Sequence, residues 1–385
     1  MIKVGLVLQL RNMWRGGVVY YHNLLQSYQE HQDPEVRLEV FTDQREDIAK
    51  FEGDNLRIHK CQALLHGGIW NWPRRRLRWI ARQRRGYDSA LLRIMELNGI
   101  DLLTHISLGA QVSINTLPWQ TDFQHKVFPD FFSAEECTGR DHEIANCRLW
   151  GNILLSSQAA ANAFRKYFPE LLSVRTHVLP FSSVASLSVD TLSRTELQAL
   201  YPVQKPYFFL PNQFWYHKNH RVVVEALRST PPEIRVICTG LMDDRRNPSY
   251  VPELLATVRQ LGLEQRFVCL GEIPYRSMIS LMRHSLGVVQ PSLFEGWSTT
   301  VEEAKAIGKR IILSDIDVHL EQSPDRGVYF SPESPEDLAA CMVRVYAEFD
   351  PEREDCHFEQ RSQYKTGVAR KFSESFARIL KEASC

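Results

Sequence analysis

The chain has 385 residues, more than a single hydrophobic core usually supports, so two domains are expected. A hydrophobic share of 44% and a charged share of 24% are ordinary for a soluble globular protein, and no apolar stretch approaches the ~20 residues of a membrane span. Lys+Arg and Asp+Glu are both 46, so net charge argues neither for nor against nucleic acid.

The opening Met1–Leu8 runs straight into a strand without a signal-peptide layout. The cysteines at 61, 137, 147, 238, 269, 341, 356 and 385 form no Cys-x-x-Cys pair, and Cys238 and Cys269 sit inside apolar runs. Both features predict a cytosolic, reducing setting rather than a disulfide framework.

Short apolar strands alternate with longer amphipathic segments, the pattern of parallel α/β sheets. Strands are expected at 4–10, 38–42, 102–106, 153–156 and 176–179. Between the first two, Arg15-Gly16-Gly17 opens a helix, with glycines that let backbone approach a ligand closely; a tight βα turn is the plainer alternative. Next comes the clearest charge asymmetry of the chain, residues 70–85, with Trp72, Arg74, Arg75, Arg76, Arg78, Trp79 and Arg82. Basic side chains interleaved with Trp suit an anionic lipid surface, a polyanionic acceptor or RNA; a solvated basic helix is the alternative. Further on, Thr121-Asp122 and His125 follow a strand-like stretch, where a core or loop histidine is the plain reading.

A polar stretch from 184 to 206 is expected as a linker with a short helix near 194–200. It separates a first domain, 1–183, from a second, 207–361, whose strands are expected at 207–210, 234–239, 267–270, 286–289 and 310–314. After its first strand come Asn212, Gln213 and Lys218, then a helix over 221–227. The most informative segment follows the apolar run 286–292: Glu295 and Gly296 in a turn, Ser298, Thr299 and Thr300 as N-cap types, Glu303 eight positions after Glu295, and Gly308 as a helix stop. Free N–H groups at that helix start would face an anion. Carboxylates beside an anion need another partner, and sugar or ribose hydroxyls supply one, so the ligand suggested is a sugar joined to a nucleotide diphosphate. A capping box, Thr299 with Glu302 or Thr300 with Glu303, is the plainer account of the second carboxylate. A terminal helix over about 362–385 completes the chain.

Glu295-Gly-x6-Glu303-Ala, framed by Gln290-Pro291-Ser292-Leu293-Phe294 and Ala306-Ile307-Gly308-Lys309, resembles the E-x7-E signature of retaining glycosyltransferases of the GT-B fold, family 4. The resemblance implies two Rossmann-like doubly wound parallel-sheet domains facing a cleft, with the terminal helix crossing back onto the first. It implies a donor-binding second domain, with Glu303 on the ribose, Glu295 beside the sugar and phosphate, and Lys218 on the diphosphate. Gln213 stands where the family usually has Arg, and Thr121 where it usually has His, which leaves Asp122 and His125 as the acceptor-side candidates. The loop at Gly16 and Gly17 would lie against the phosphates and the acceptor side. The activity implied is a metal-independent, retaining transfer from a nucleotide sugar to an acceptor hydroxyl, in synthesis of a bacterial polysaccharide or lipopolysaccharide O-antigen. No Asp-x-Asp metal motif, cofactor or nucleic-acid partner is expected. The basic run 70–85 then suits peripheral attachment to the inner membrane leaflet, where lipid-linked glycan acceptors sit. A catalytically degenerate nucleotide-sugar-binding subunit and a nucleotide-sugar epimerase are the alternatives.

Overall fold

The computed structural model describes residues 1–10, 13, 15–61, 88–110 and 112–384. The surface assigned to Trp72, Arg74, Arg75, Arg76, Arg78, Trp79 and Arg82 lies outside the described residues. The chain divides into two compact units, Met1–Phe181 with Gly367–Cys385, and Ser182–Thr366.

In the first unit, β1 (Ile2–Leu8), β2 (Val36–Thr42), β3 (Leu56–Lys60), β4 (Leu102–Thr104) and β5 (Asn115–Leu117) form a parallel sheet in the order β3-β2-β1-β4-β5. Helix α1 (Arg15–Glu30) makes the crossover from β1 to β2. A smaller parallel sheet holds β6 (Trp119–Gln120), β7 (Asn152–Leu155) and β8 (Arg175–Val178). Strand β3 was not expected: Arg57, His59 and Lys60 interrupt its apolar residues, as suits an edge strand, with Leu56 and Ile58 alone turned inward. The last helix, Arg361–Ser384, belongs to this unit from Gly367 onward. There Ser373 Oγ donates to His31 O at 2.6 Å, and Lys381 Nζ reaches Asp33 Oδ2 at 2.9 Å. Phe372, Phe376, Ile379 and Leu380 are all buried.

In the second unit, β9 (Phe208–Leu210), β10 (Val236–Cys238), β11 (Phe267–Cys269), β12 (Val288–Gln290), β13 (Ile311–Ser314) and β14 (Gly327–Phe330) run parallel in the order β11-β10-β9-β12-β13-β14. Alternation along each strand fills both faces. Phe208, Leu210, Val236, Cys238, Val289 and Ile312 join one core, while Phe209, Ile237, Val288, Ile311 and Leu313 join the other. A sheet covered on both sides explains why its strands are almost purely apolar. The segment 184–206, expected as a linker, packs within this unit. Leu192, Leu197 and Val203 enter the second core, and Ser193 with Glu196 forms a capping box on the helix Arg194–Leu200. The helices that bear on function are α2 (His220–Arg228), α3 (Tyr275–His284), α4 (Thr299–Ala306) and α5 (Asp317–Gln322). No helix among the described residues is long and apolar enough to cross a membrane.

Candidate functional site

Strands β9 and β12 are neighbours, yet the chain runs outward from β9 through β10 to β11, and outward from β12 through β13 to β14. Open parallel sheets bind ligands at such a reversal, beyond the carboxyl ends of the strands. Here the two strand ends are joined by side chains. Asn212, just past β9, donates through Nδ2 to Gln290 Oε1 at the end of β12, at 2.9 Å. That bond aims Gln290 Nε2 at Glu295 Oε1 (2.8 Å) and at Ser298 Oγ (3.1 Å).

Glu295 Oε1 also accepts from Ser292 Oγ at 2.7 Å and from Lys218 Nζ at 2.6 Å. Both charged side chains are largely buried, at 14% and 8% exposure. Burial works to raise the Glu295 carboxyl, but the Lys218 charge, the neighbouring His319 and the Lys218 hydrogen bond outweigh it and hold the group below its ordinary range. Lys218 is placed by a single 3₁₀ turn, Tyr216–Lys218, closed by Asn219 in the left-handed conformation (φ 55°). Asn219 Nδ2 ties that turn to the loops after β12 and β14, donating to Pro291 O (3.1 Å) and Pro332 O (2.9 Å). His217 is kept neutral by burial, assisted by Lys218, with its pKa pushed down to about 3.

Helix α4 starts one residue earlier than a Thr299–Glu302 capping box requires and two earlier than a Thr300–Glu303 box. Ser298 is the N-cap, accepting from Val301 N, so neither Thr299–Glu302 nor Thr300–Glu303 forms the box, and Glu303 lies beyond the first turn. The reason is Gln322, which accepts from Ser298 N through Oε1 (3.3 Å) and donates to Ser298 O (2.9 Å), fixing the cap from α5. Glu302 turns to Lys305 Nζ (3.0 Å) and Gln322 Nε2 (2.9 Å). Glu303 is different. It is 3% exposed, accepts from Tyr275 Oη at 2.9 Å, and burial raises its pKa to about 7. No cation pairs with it among the described residues. The site therefore presents a neutralised carboxylate at Glu295 and, at Glu303, a carboxyl with no ion-pair partner.

Of the other expected residues, Thr300 is buried, while Gly296 and Thr299 are half-buried. Gln213 Oε1 accepts from Leu241 N at 2.7 Å, so its amide ties the loop after β9 to the loop after β10. Gly16 and Gly17 lie in the first turn of α1, in the first unit. The structure does not bring Asp122 and His125 together. Asp122 Oδ1 accepts from Gln124 N at 3.0 Å, a local turn, with Thr121 Oγ1 on its other oxygen at 3.4 Å. His125 is 1% exposed and points to Asp141, 2.9 Å away, which Lys126 also holds at 2.6 Å. Its surroundings are those of a paired core histidine. Among the described residues no group of three or more His, Cys, Asp or Glu gathers as a metal site.

Residues not singled out from sequence complete the site: Gln290, Ser292, Asn219, Tyr275, His319 and Gln322. His319 is fully buried, with Nδ1 3.0 Å from both Ser314 Oγ and Ser314 O. Ser314 Oγ in turn donates to Ser292 O at 2.6 Å. A polar Gln ending an otherwise apolar strand was the one signal available for this group.

Residues 196–361 match the family model of the glycosyl transferases group 1. The D-inositol 3-phosphate glycosyltransferase of Xylanimonas cellulosilytica is 27% identical over 129 residues, which is 33% of this chain and 30% of that protein. Among solved structures, HepE of Anabaena in complex with UDP and glucose superposes with a TM-score of 0.66 at 15% identity, over 99% of this chain and 100% of that one. A sucrose-phosphate synthase from Thermosynechococcus elongatus gives the same TM-score, 0.66, at 14% identity, with 99% and 100% covered. The lipopolysaccharide-biosynthesis glycosyltransferase WaaG gives 0.61 at 14% identity, with 98% and 99% covered. Residues 196–361, in the second unit, are thus similar to the glycosyl transferases group 1, and the chain has the GT-B fold of these structures.

Proposed function

We propose that this protein is a retaining, metal-independent glycosyltransferase that moves a sugar from a nucleoside diphosphate sugar to an acceptor hydroxyl. The observation that carries the reading is the Lys218–Glu295 pair, 2.6 Å apart at the β9/β12 reversal, with the buried Glu303 on the next helix. Glu303, accepting only a tyrosine hydroxyl in the described structure, suits the two hydroxyls of a ribose. Glu295, its charge offset by Lys218, suits the sugar hydroxyls, and the ammonium suits the phosphate that leaves. The UDP and glucose in the HepE crystals are a ligand of this chemistry.

In the step proposed, the acceptor oxygen bonds to the anomeric carbon on the face from which the phosphate oxygen departs. The acceptor proton passes to that phosphate oxygen, so no protein nucleophile is required. Lys218 stabilises the negative charge that grows on the diphosphate, the kind of term that typically dominates such transfers. We further place the acceptor among lipid-linked glycans of a bacterial surface polysaccharide, with the basic run 70–85 as contact to an anionic leaflet; the composition of that run supports this.

The engagement of Gln213 with Leu241 favours one rival, a nucleotide-sugar-binding subunit without turnover, since residue 213 brings no cation. A thermal-shift screen with UDP, GDP, dTDP, ADP and their sugar conjugates, without metal, comes first. A ligand at ~100 times its dissociation constant adds ~2.7 kcal/mol and is readily seen. Donor consumption that requires an added acceptor supports the transferase; binding without consumption supports the subunit; conversion of donor alone supports an epimerase. No shift with any of them sinks the assignment.

A further inference from the structure

A diphosphate beside Lys218 calls for more positive charge than Lys218 offers, because the ammonium already lies 2.6 Å from Glu295. His217 adds none, being held neutral by burial and by Lys218. Gln213 adds none either. What its amide does instead is bind a second loop, the one that follows β10. That loop is fastened unusually closely to the site. Gly240 has φ 132°, and a Cβ there would fall 2.4 Å from Asn212 O, so only glycine allows the approach. Phe214 N donates to Leu241 O at 3.0 Å. The buried Asp244 accepts from Tyr216 N through Oδ2 (2.8 Å), and from Arg246 N (3.1 Å) and Asn247 N (3.3 Å) through Oδ1. One carboxylate thus fixes the backbone of Arg246 to the turn that carries Lys218.

Of the two arginines here, Arg245 is 92% exposed and lies 3.8 Å from Asp243. Arg246 is exposed as well, but its backbone N–H shares the Asp244 carboxylate with Tyr216 N, in the turn that carries Lys218. We propose that Arg246 supplies the guanidinium that grips the diphosphate of the nucleotide sugar, delivered by the loop after β10 rather than by residue 213. This rests on the function proposed above. A planar guanidinium binds phosphate through two parallel N–H donors, which an ammonium cannot reproduce.

The test is calorimetric titration of UDP, GDP, dTDP and ADP, and of their parent nucleosides, into the wild type and into Arg246→Gln, Arg246→Lys and Arg245→Gln. Arg246→Gln should weaken the tightest-binding diphosphate ~10- to 100-fold, the range of a charged hydrogen bond, and leave its nucleoside unchanged. Arg246→Lys should recover part of the loss, and Arg245→Gln should match the wild type. Undiminished diphosphate binding by Arg246→Gln, or an equal loss for the nucleoside, overturns the inference while leaving the proposed function standing. Absence of binding of all four diphosphates to the wild type removes both.

Discussion

The two units repeat one topology and fill its critical position with opposite chemistry. In the first, strand order reverses between β1 and β4, as it does between β9 and β12 in the second. Beyond β4 stands His105, in the left-handed region at φ 67°, with Tyr20 Oη 2.7 Å from Nε2 and Thr104 Oγ1 2.9 Å from Nδ1. Tyr20 stacks on Trp119 at 4.3 Å, and Phe181 and Phe372 meet its edges. Burial keeps His105 neutral, its pKa down to about 3. At the equivalent place in the second unit are Lys218, Glu295, Gln290 and Asn212, ionic or amide groups bonded to one another. The sheet reversal makes a ligand position available in both units. Side chains close it with rings in one and equip it with charge in the other, and the function proposed above draws on the charged one.

The comparison breaks most directly at Lys218. Lys218→Ala should cut turnover at least ~10²-fold while the protein stays folded, because the ammonium acts on charge that grows only as the phosphate leaves. Steady-state kinetics beside a melting curve checks this; full activity in a folded Lys218→Ala would remove the residue from the mechanism. Tyr20→Phe should do the reverse. It leaves a His105 nitrogen without its partner among aromatic rings, at a cost of about 1–3 kcal/mol in urea unfolding, with donor affinity unchanged. Loss of donor binding in Tyr20→Phe would mean that the first unit's reversal is also a ligand site.

What the sequence disclosed follows the same division. Strands such as 208–210 and 288–290 were legible because a sheet buried on both faces writes itself as an unbroken apolar run. Edge strands β3 and β14 were not, since Arg57, His59 and Lys60 dilute one and partly exposed residues begin the other. Glu295 and Glu303 were legible from their spacing around a helix start. Their environments were not. Lys218 and Glu295 are 77 residues apart, and only the adjacency of β9 and β12 brings them to 2.6 Å. Gln213 read as a missing cation, and its bond to Leu241 depends on a third strand, β10. Asp122 and His125, three residues apart, read as a unit. A four-residue helix and the distant Asp141 direct them to separate partners.

The finest discrimination between the two reversals lies in pH. His105 stays neutral across the accessible range, so the first unit has no titration there near neutrality. Glu303 has one, because burial raises its pKa to about 7. The sign follows from which form the ligand prefers. Ribose hydroxyls donate, so they favour the carboxylate, lower its pKa in the complex and expel a proton when binding begins below about pH 7. Affinity for the nucleotide should therefore be flat above pH 7 and fall with acidification, by at most ~tenfold per unit, until the lowered pKa of the complex is reached. Stability of the free protein runs the opposite way. Unfolded, the group ionises near 4.5; folded, it holds its proton to about 7, so its contribution is greatest below 4.5 and is lost as pH rises through 7. Glu303→Gln should abolish both slopes, weaken nucleotide binding at pH 8, and stabilise the free protein there. Titration of nucleotide binding from pH 5.5 to 8.5 in wild type and variant distinguishes the cases. Identical slopes would show that some other group titrates and that the ribose does not rest on Glu303.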